Sequence, residues 1–162
     1  MAISKEKKHE IVSSFSDIAT GSESIVFVQF NKLTVADSNI LRRKLRAAGV
    51  GYKVGKKTLL KRVLTEQGYT GELPTLEGEI AVAYSADLLA PAREVYEFQA
   101  THKGLVSIVG GVFEKGYKNQ SEMMAIATIP PLQTLRGMFV NIINSPIQRF
   151  AIALDQIAKK NA

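Results

Sequence analysis

Nine basic side chains lie between Ser38 and Thr65, and that stretch contains no acidic residue. Lysine and arginine at this density bind polyanions, because each phosphate that they neutralise releases condensed counterions. The whole chain has a formal charge of +6, so the remaining twelve basic and fifteen acidic residues carry a net charge of −3. The positive charge is therefore local, and the chemistry that it predicts is phosphate binding. The nine residues are Arg42, Arg43, Lys44, Arg46, Lys53, Lys56, Lys57, Lys61 and Arg62.

A solvated surface without a partner is the alternative explanation of these charges. Surface helices usually place acids three or four residues from their basic residues, which limits self-repulsion. No acid does so over the twenty-eight residues from 38 to 65, so we expect nucleic acid to neutralise the charge. An anionic membrane surface fits less well, since the stretch lacks the Trp or Phe that usually anchors such helices.

No catalytic motif accompanies the basic residues. The glycines between Gly49 and Gly55 resemble a phosphate-binding loop, but a Walker loop needs four residues between its glycines and Lys-Ser/Thr directly afterwards. Three residues separate Gly51 from Gly55, and an extra lysine precedes Thr58. Cysteine is absent, the two histidines lie far apart, and no G-x-S-x-G element is present. We therefore predict a protein that is not an enzyme and that uses no cofactor and no metal.

Helices and strands alternate through the first part of the chain, which predicts an α/β (α+β-like) fold. Apolar periodicity predicts helices over 4–19, 34–48, 58–67, from 87 or 91 to 101, and 121–127. Thr34 with Asp37 is a capping-box-like pair, and a serine cap is expected for the last of these helices. Strands are expected over 25–30, 52–54 and 80–84, and 105–113, interrupted by Gly110-Gly111, is expected to be a final strand or a hairpin edge. We expect one sheet of about four to five strands packed with helices, in a domain spanning 1–128.

The last segment begins at two adjacent prolines, Pro130 and Pro131, which disfavour a helix running through them. Beyond them, apolar residues recur at offsets of 0, 3, 7 and 10, once before and once after Pro146. Such heptad-like seams are typical of helices that pack on other helices. We predict a second domain, 129–162, formed by a protruding C-terminal helix broken near the proline. The two seams are Leu132, Leu135, Phe139 and Ile142, widened by Met138 and Ile143, and then Ile147, Phe150, Leu154 and Ile157.

A terminal amphipathic helix most often packs against its own chain, and this remains the alternative for the last segment. The proline boundary, the repeated seam and the scarcity of charge favour partner helices instead. A helix of about fourteen residues is marginal alone in water. Burying four apolar side chains per segment would contribute roughly 6–12 kcal/mol before ordering and association costs are subtracted.

The start of the chain, MAISKEKKHE, is charged and is followed by no apolar stretch, so we expect no secretory signal. No apolar run approaches the ~18 residues that cross a bilayer. The expected compartment is the cytosol, with no membrane partner.

Four short runs carry a resemblance to a known family. They are Leu-Thr-Val at 33–35, Leu-Arg-Arg-Lys-Leu-Arg-Ala-Ala-Gly-Val at 41–50, Tyr-Lys-Val at 52–54 and Lys-Lys-Thr-Leu at 56–59. In order and spacing they resemble bacterial large-subunit ribosomal protein ten, the family at the base of the ribosomal stalk, and the resemblance covers nearly the whole chain. Gly110-Gly111 and Ile129-Pro130 also fall where that family has paired glycines and an apolar-Pro boundary. The chain departs from the family at Asn31-Lys32, where Arg-Gly is common, and at Lys57, where Asn is common.

The resemblance implies a structural role in translation, in a ribosome-associated, cytoplasmic protein. Such proteins bind 23S rRNA beside ribosomal protein eleven, and their C-terminal helix carries dimers of the acidic stalk protein (seven/twelve), which recruit translational GTPases. Two seams predict two dimers per chain. The implied rRNA-binding residues are Arg42, Arg43, Lys44, Arg46, Lys53, Lys56, Lys57, Thr58, Lys61 and Arg62. The implied stalk-protein-binding residues are Leu132, Leu135, Met138, Phe139, Ile142, Ile143, Ile147, Phe150, Leu154 and Ile157. Another RNA-binding adaptor or scaffold, outside the ribosome, is the alternative.

Overall fold

The computed structural model describes residues 5–71, 73–76, 78–102 and 104–161, which form six helices and five strands. The chain divides into two compact units, Met1–Ile129 and Pro130–Ala162. The helices are α1 Lys5–Gly21, α2 Val35–Ala47, α3 Lys57–Gln67, α4 Ala90–Thr101, α5 Gln120–Ala127 and α6 Leu132–Asn161. The strands are β1 Ser24–Phe30, β2 Gly51–Val54, β3 Glu79–Ser85, β4 Val106–Phe113 and β5 Gly116–Asn119.

The first unit is built around one antiparallel sheet with the strand order β2-β3-β1-β4-β5. Side chains alternate along the central strand β1, so Val26 and Val28 enter a core with α2, α4 and α5. Ile25 and Phe27 enter a second core with α1 and α3. Helices therefore cover both faces of the sheet, which explains why the residues of β1 are almost all apolar. The prediction of one sheet of four to five strands packed with helices is confirmed.

The helix starting after Thr34 has the predicted cap. The Thr34 hydroxyl accepts a hydrogen bond from the Asp37 backbone amide at 3.2 Å and donates one to the Asp37 carboxylate at 2.6 Å. In a complete capping box the Asp37 carboxylate would accept a hydrogen bond from the Thr34 backbone amide. Here it accepts one from the Thr34 hydroxyl instead.

The predicted serine cap of α5 is wrong. The N-cap residue is Asn119, and the Glu122 carboxylate accepts a hydrogen bond from the Asn119 backbone amide at 3.0 Å. Asparagine is as good an N-cap residue as serine, and a glutamate three residues later completes the local pattern. Ser121 lies inside the helix.

The glycine pair does not interrupt the fourth strand. β4 runs through Gly110 and Gly111, and a bulge is present because Phe27 pairs with Gly110 whereas Val28 pairs with Ile108. The chain then turns into β5, which was not predicted as a separate strand. The predicted first helix began at Ser4, which lies outside the described residues, and its observed end is two residues later than predicted.

The second unit consists of α6, a single helix of thirty residues with Pro146 inside it. The predicted break at this proline is absent. Proline removes one i→i−4 hydrogen bond, but its fixed φ lies close to the helical value, so the turns on either side continue the helix. Within the described residues, no helix is long and apolar enough to cross a membrane.

Candidate nucleic-acid interface and an exposed apolar helix

The buried side of α2 decides where its basic residues lie. Leu41 and Leu45 are fully buried against the sheet. Arg43 therefore falls opposite the buried side, Arg42 and Arg46 fall on its flank, and all three are exposed. Cations in the last turn also interact favourably with the helix dipole, which gives Arg46 a structural reason to be basic as well.

A tight turn connects α2 to β2. The Val50 amide donates to the Leu45 carbonyl at 2.9 Å and the Gly49 amide donates to the Arg46 carbonyl at 3.1 Å, which is a Schellman motif. Gly49 has a φ of +71°, a left-handed conformation that favours glycine. The turn brings the start of β2 next to the exposed arginines of α2.

Lys44 of α2 forms ion pairs with another helix. Its Nζ lies 2.7 Å from a carboxylate oxygen of Glu97 and 3.8 Å from one of Glu94, both on α4. The Lys44 side chain is 38% exposed. It therefore joins α2 to α4, and its charge is already partly neutralised.

Two further cations are also engaged. The Lys53 Nζ donates to the Ser14 hydroxyl at 2.6 Å and lies 5.1 Å from the centroid of the Phe15 ring. The Arg62 Nε lies 3.2 Å from a carboxylate oxygen of Glu66 one turn later. The charged groups of the other six have no ion-pair or hydrogen-bond partner among the described residues. Those six are Arg42, Arg43, Arg46, Lys56, Lys57 and Lys61.

The start of α3 is suited to an anion. Lys56 is its N-cap residue and provides no side-chain cap, and no acid lies in the first turn. The Lys57 and Thr58 backbone amides make no hydrogen bond within the described chain, as expected for a helix start. Lysines at this end oppose the helix dipole, whereas an oxyanion there would bind both the free amides and the lysines.

The basic stretch spans both faces of the sheet. α2 packs on one face and α3 on the other, and the four residues of edge strand β2 connect them. The structure thus places the exposed cations of α2 near the start of β2 and Lys56 and Lys57 just after its end. The nine residues are therefore spread over two helices, an edge strand and the loop after it, instead of forming a single helix face.

A depression of about 400 Å³ lies at the start of β2. Its walls include Arg42 and Arg46 of α2 and the rings of Tyr52 and Tyr84. The Arg42 guanidinium lies 6.0 Å from the centroid of the Tyr52 ring. Burial raises the pKa of the Tyr52 hydroxyl, and the nearby Arg42 charge opposes this shift only in part. Sequence reasoning did not place Tyr84 at this depression, because only the strand register brings it opposite Gly51.

The apolar residues of α6 are exposed along its whole length. Phe139 is 65% exposed, Ile142 69% and Phe150 67%. All the predicted apolar seam residues are in this exposed set. Contiguous apolar surface on this scale marks a binding surface for another molecule.

Because α6 is one continuous helix, the angle between its two apolar seams around the helix axis is fixed. The second seam begins fifteen residues after the first, which is four helical turns plus about 60° of rotation. Both seams therefore lie on neighbouring parts of one helix side and form a single stripe. The helix is about 45 Å long at ~1.5 Å per residue, so the stripe is long enough for more than one partner.

No group of three or more residues able to hold a metal ion occurs in the described part of the chain. The observed features are those of a scaffold protein, with a cationic α+β unit and a separate unit that exposes an apolar helix.

Comparisons with known proteins define the family. Residues 3–100 match the family described as Ribosomal protein L10. A relative from Shouchella clausii, Large ribosomal subunit protein uL10, is 35% identical over 96% of this chain and 93% of its own length. A protein of the same name from Gluconacetobacter diazotrophicus is 36% identical over 92% of this chain and 81% of its own length. Another, from Caldanaerobacter subterraneus subsp. tengcongensis, is 36% identical over 95% of this chain and 88% of its own length.

The chain belongs to the ribosomal protein L10 family. It is thus a ribosomal protein with a structural role, and not an enzyme. Its membership also agrees with the expected location, the ribosome in the cytoplasm.

Proposed function

We propose that the protein joins 23S rRNA to the acidic stalk proteins within the large ribosomal subunit. The first unit binds the RNA, and α6 carries stalk-protein dimers that recruit translational GTPases. The observation that carries the proposal is the set of six exposed cations on α2, α3 and the loop before α3, which lack partners among the described residues.

Phosphate contacts supply the RNA affinity in this proposal. Leaving six like charges uncompensated destabilises the free fold, and an RNA backbone along the β2 edge removes that penalty. The free amides at the start of α3 add hydrogen-bond donors for a phosphate, with the Thr58 hydroxyl beside them. Lys44, Lys53 and Arg62 contribute less, since each is engaged within the protein. Most of the specificity comes from RNA shape.

The stalk dimers bind the apolar stripe of α6. An isolated exposed helix gains little stability from propensity alone, and its apolar side chains favour burial against partner helices. Ribosomal protein eleven is the neighbour on the RNA that the family resemblance implies for the first unit.

Footprinting on 23S rRNA tests the RNA-binding half of this proposal. The double charge reversal Arg42→Glu/Arg43→Glu should remove protection of the RNA backbone and lower affinity by more than tenfold, because two phosphate contacts become repulsions. The matched control is Arg136→Glu/Arg149→Glu, which reverses two exposed arginines of α6. Full protection with the first double variant would contradict the proposed RNA surface.

Native mass spectrometry tests the stalk half. Mixing the chain with the acidic stalk protein should give a complex with two dimers per chain, one for each seam. A count of three or more dimers would contradict the assignment of one dimer to each seam.

A further inference from the structure

We propose that the depression beside Arg42 binds one unpaired nucleobase of the RNA, stacked on the Arg42 guanidinium and lying against the Tyr84 ring. This inference rests on the proposed function and deepens it, because it adds a base contact to a surface otherwise made of phosphate contacts. Unpaired RNA bases characteristically stack on aromatic rings or on arginine planes.

The depression has a size and a charge that fit such a ligand. Its volume of about 400 Å³ is within the range of small-molecule pockets. It is lined by two arginines and two tyrosines, and none of its described lining residues is acidic. An arginine beside a stacked base is also placed to contact the adjoining phosphate, and Arg46 lies one helical turn after Arg42.

The backbone around the depression is built to hold the two rings in place. A Cβ atom on Gly51 would clash with the Tyr84 ring, so this ring packs on a backbone position that only glycine allows. The Schellman turn at Gly49 fixes the position of β2 relative to Arg42 and Arg46. The Tyr84 ring and the start of β2 are therefore positioned by the fold before RNA arrives, which lowers part of the ordering cost of binding.

The Tyr52 ring, which also lines the depression, lies near the Arg42 side chain. The guanidinium lies 6.0 Å from the ring centroid, at the outer limit of a cation–π contact. A tyrosine hydroxyl is neutral at pH 7, and burial raises the pKa of Tyr52 further, so this ring places no negative charge beside the RNA.

The test uses the full chain bound to 23S rRNA. Base access is probed with dimethyl sulfate for A and C, kethoxal for G and a carbodiimide for U, and backbone access with hydroxyl radicals. Arg42→Lys keeps the charge and removes the planar surface, so an unpaired base protected by the wild-type protein should become reactive while the backbone footprint remains. Affinity should fall by about tenfold, the scale of one lost base stack.

Arg43→Lys is the comparator, since it makes the same change at a neighbouring exposed arginine. It should weaken a phosphate contact but leave the base protected. Tyr84→Leu should also expose the base, whereas Tyr84→Phe should keep it protected, because the ring and not the hydroxyl forms the wall. Circular dichroism confirms that each variant is folded.

Two results would overturn the inference. If Arg42→Lys and Arg43→Lys give the same base reactivities, no base is stacked on Arg42. If the wild-type protein gives no footprint on the RNA at all, the proposed function is wrong and the base site falls with it. Loss of base protection in Arg42→Lys alone, with the backbone footprint intact, supports the site.

Discussion

At the residue scale, the identities of the cations were predictable and their partners were not. The acid-free stretch is visible in the sequence, but Lys44 pairs with Glu97, fifty-three positions later. Lys53 donates to Ser14, thirty-nine positions earlier. Such pairs depend on how α2, α4 and α1 pack, so spacing along the chain does not reveal them. The assignment of the individual residues to RNA stays a prediction.

The salt dependence of RNA binding should reflect the six unpartnered cations. About six phosphate contacts predict a log–log slope of roughly −4 to −5 for the wild-type chain. Arg43→Gln should reduce the size of that slope by about 1, whereas Lys44→Gln should reduce it by clearly less, because Lys44 is engaged by Glu97. Filter binding across a salt series measures both slopes.

A stability measurement separates the two variants further. Lys44→Gln should lower the free energy of unfolding by up to about 1 kcal/mol, since its ion pairs are partly solvated. Arg43→Gln should leave unfolding nearly unchanged. A nearly salt-independent affinity of the wild-type chain would contradict the electrostatic account.

At the element scale, the predictions succeeded where a local signal dominates. The Thr34 cap and the glycine after α2 set the ends of that helix, and both signals lie within a few residues. The sequence was misleading where pairing decides the structure. β4 continues through two glycines because β1 and β5 hold it on both sides, and β5 is too short to have an apolar pattern of its own.

Replacing the proline inside α6 tests whether continuity of that helix is compatible with binding. Pro146→Ala restores a backbone amide to the middle of the helix, and alanine is about 3 kcal/mol more favourable there than proline. We expect greater helicity by circular dichroism at 222 nm and an unchanged number of bound stalk dimers. Gln148→Ala, two residues later, is the control for an exposed substitution without a proline effect.

Loss of a bound stalk dimer in Pro146→Ala would contradict this expectation. If Pro146→Ala loses one dimer, the two seams need a break between them, and the single continuous stripe is not what the stalk protein binds.

At the scale of the whole molecule, two units carry two different surfaces. The first unit exposes cations on α2, α3 and the loop before α3, and the second exposes an apolar helix. Composition and the proline pair were enough to suggest this division. The wrapping of the cations onto both faces of the sheet was not foreseeable, because it depends on the strand order that places β2 at the edge.

The most direct measurement of this division of labour is made on a chain that ends after Ile129, assayed in parallel for 23S rRNA and for the acidic stalk protein. We expect RNA affinity within about twofold of the full chain, because the phosphate contacts that set it are all retained, and no detectable binding of stalk dimers. Loss of RNA binding in a truncated chain that is still folded, or stalk dimers that remain bound to it, would contradict the account.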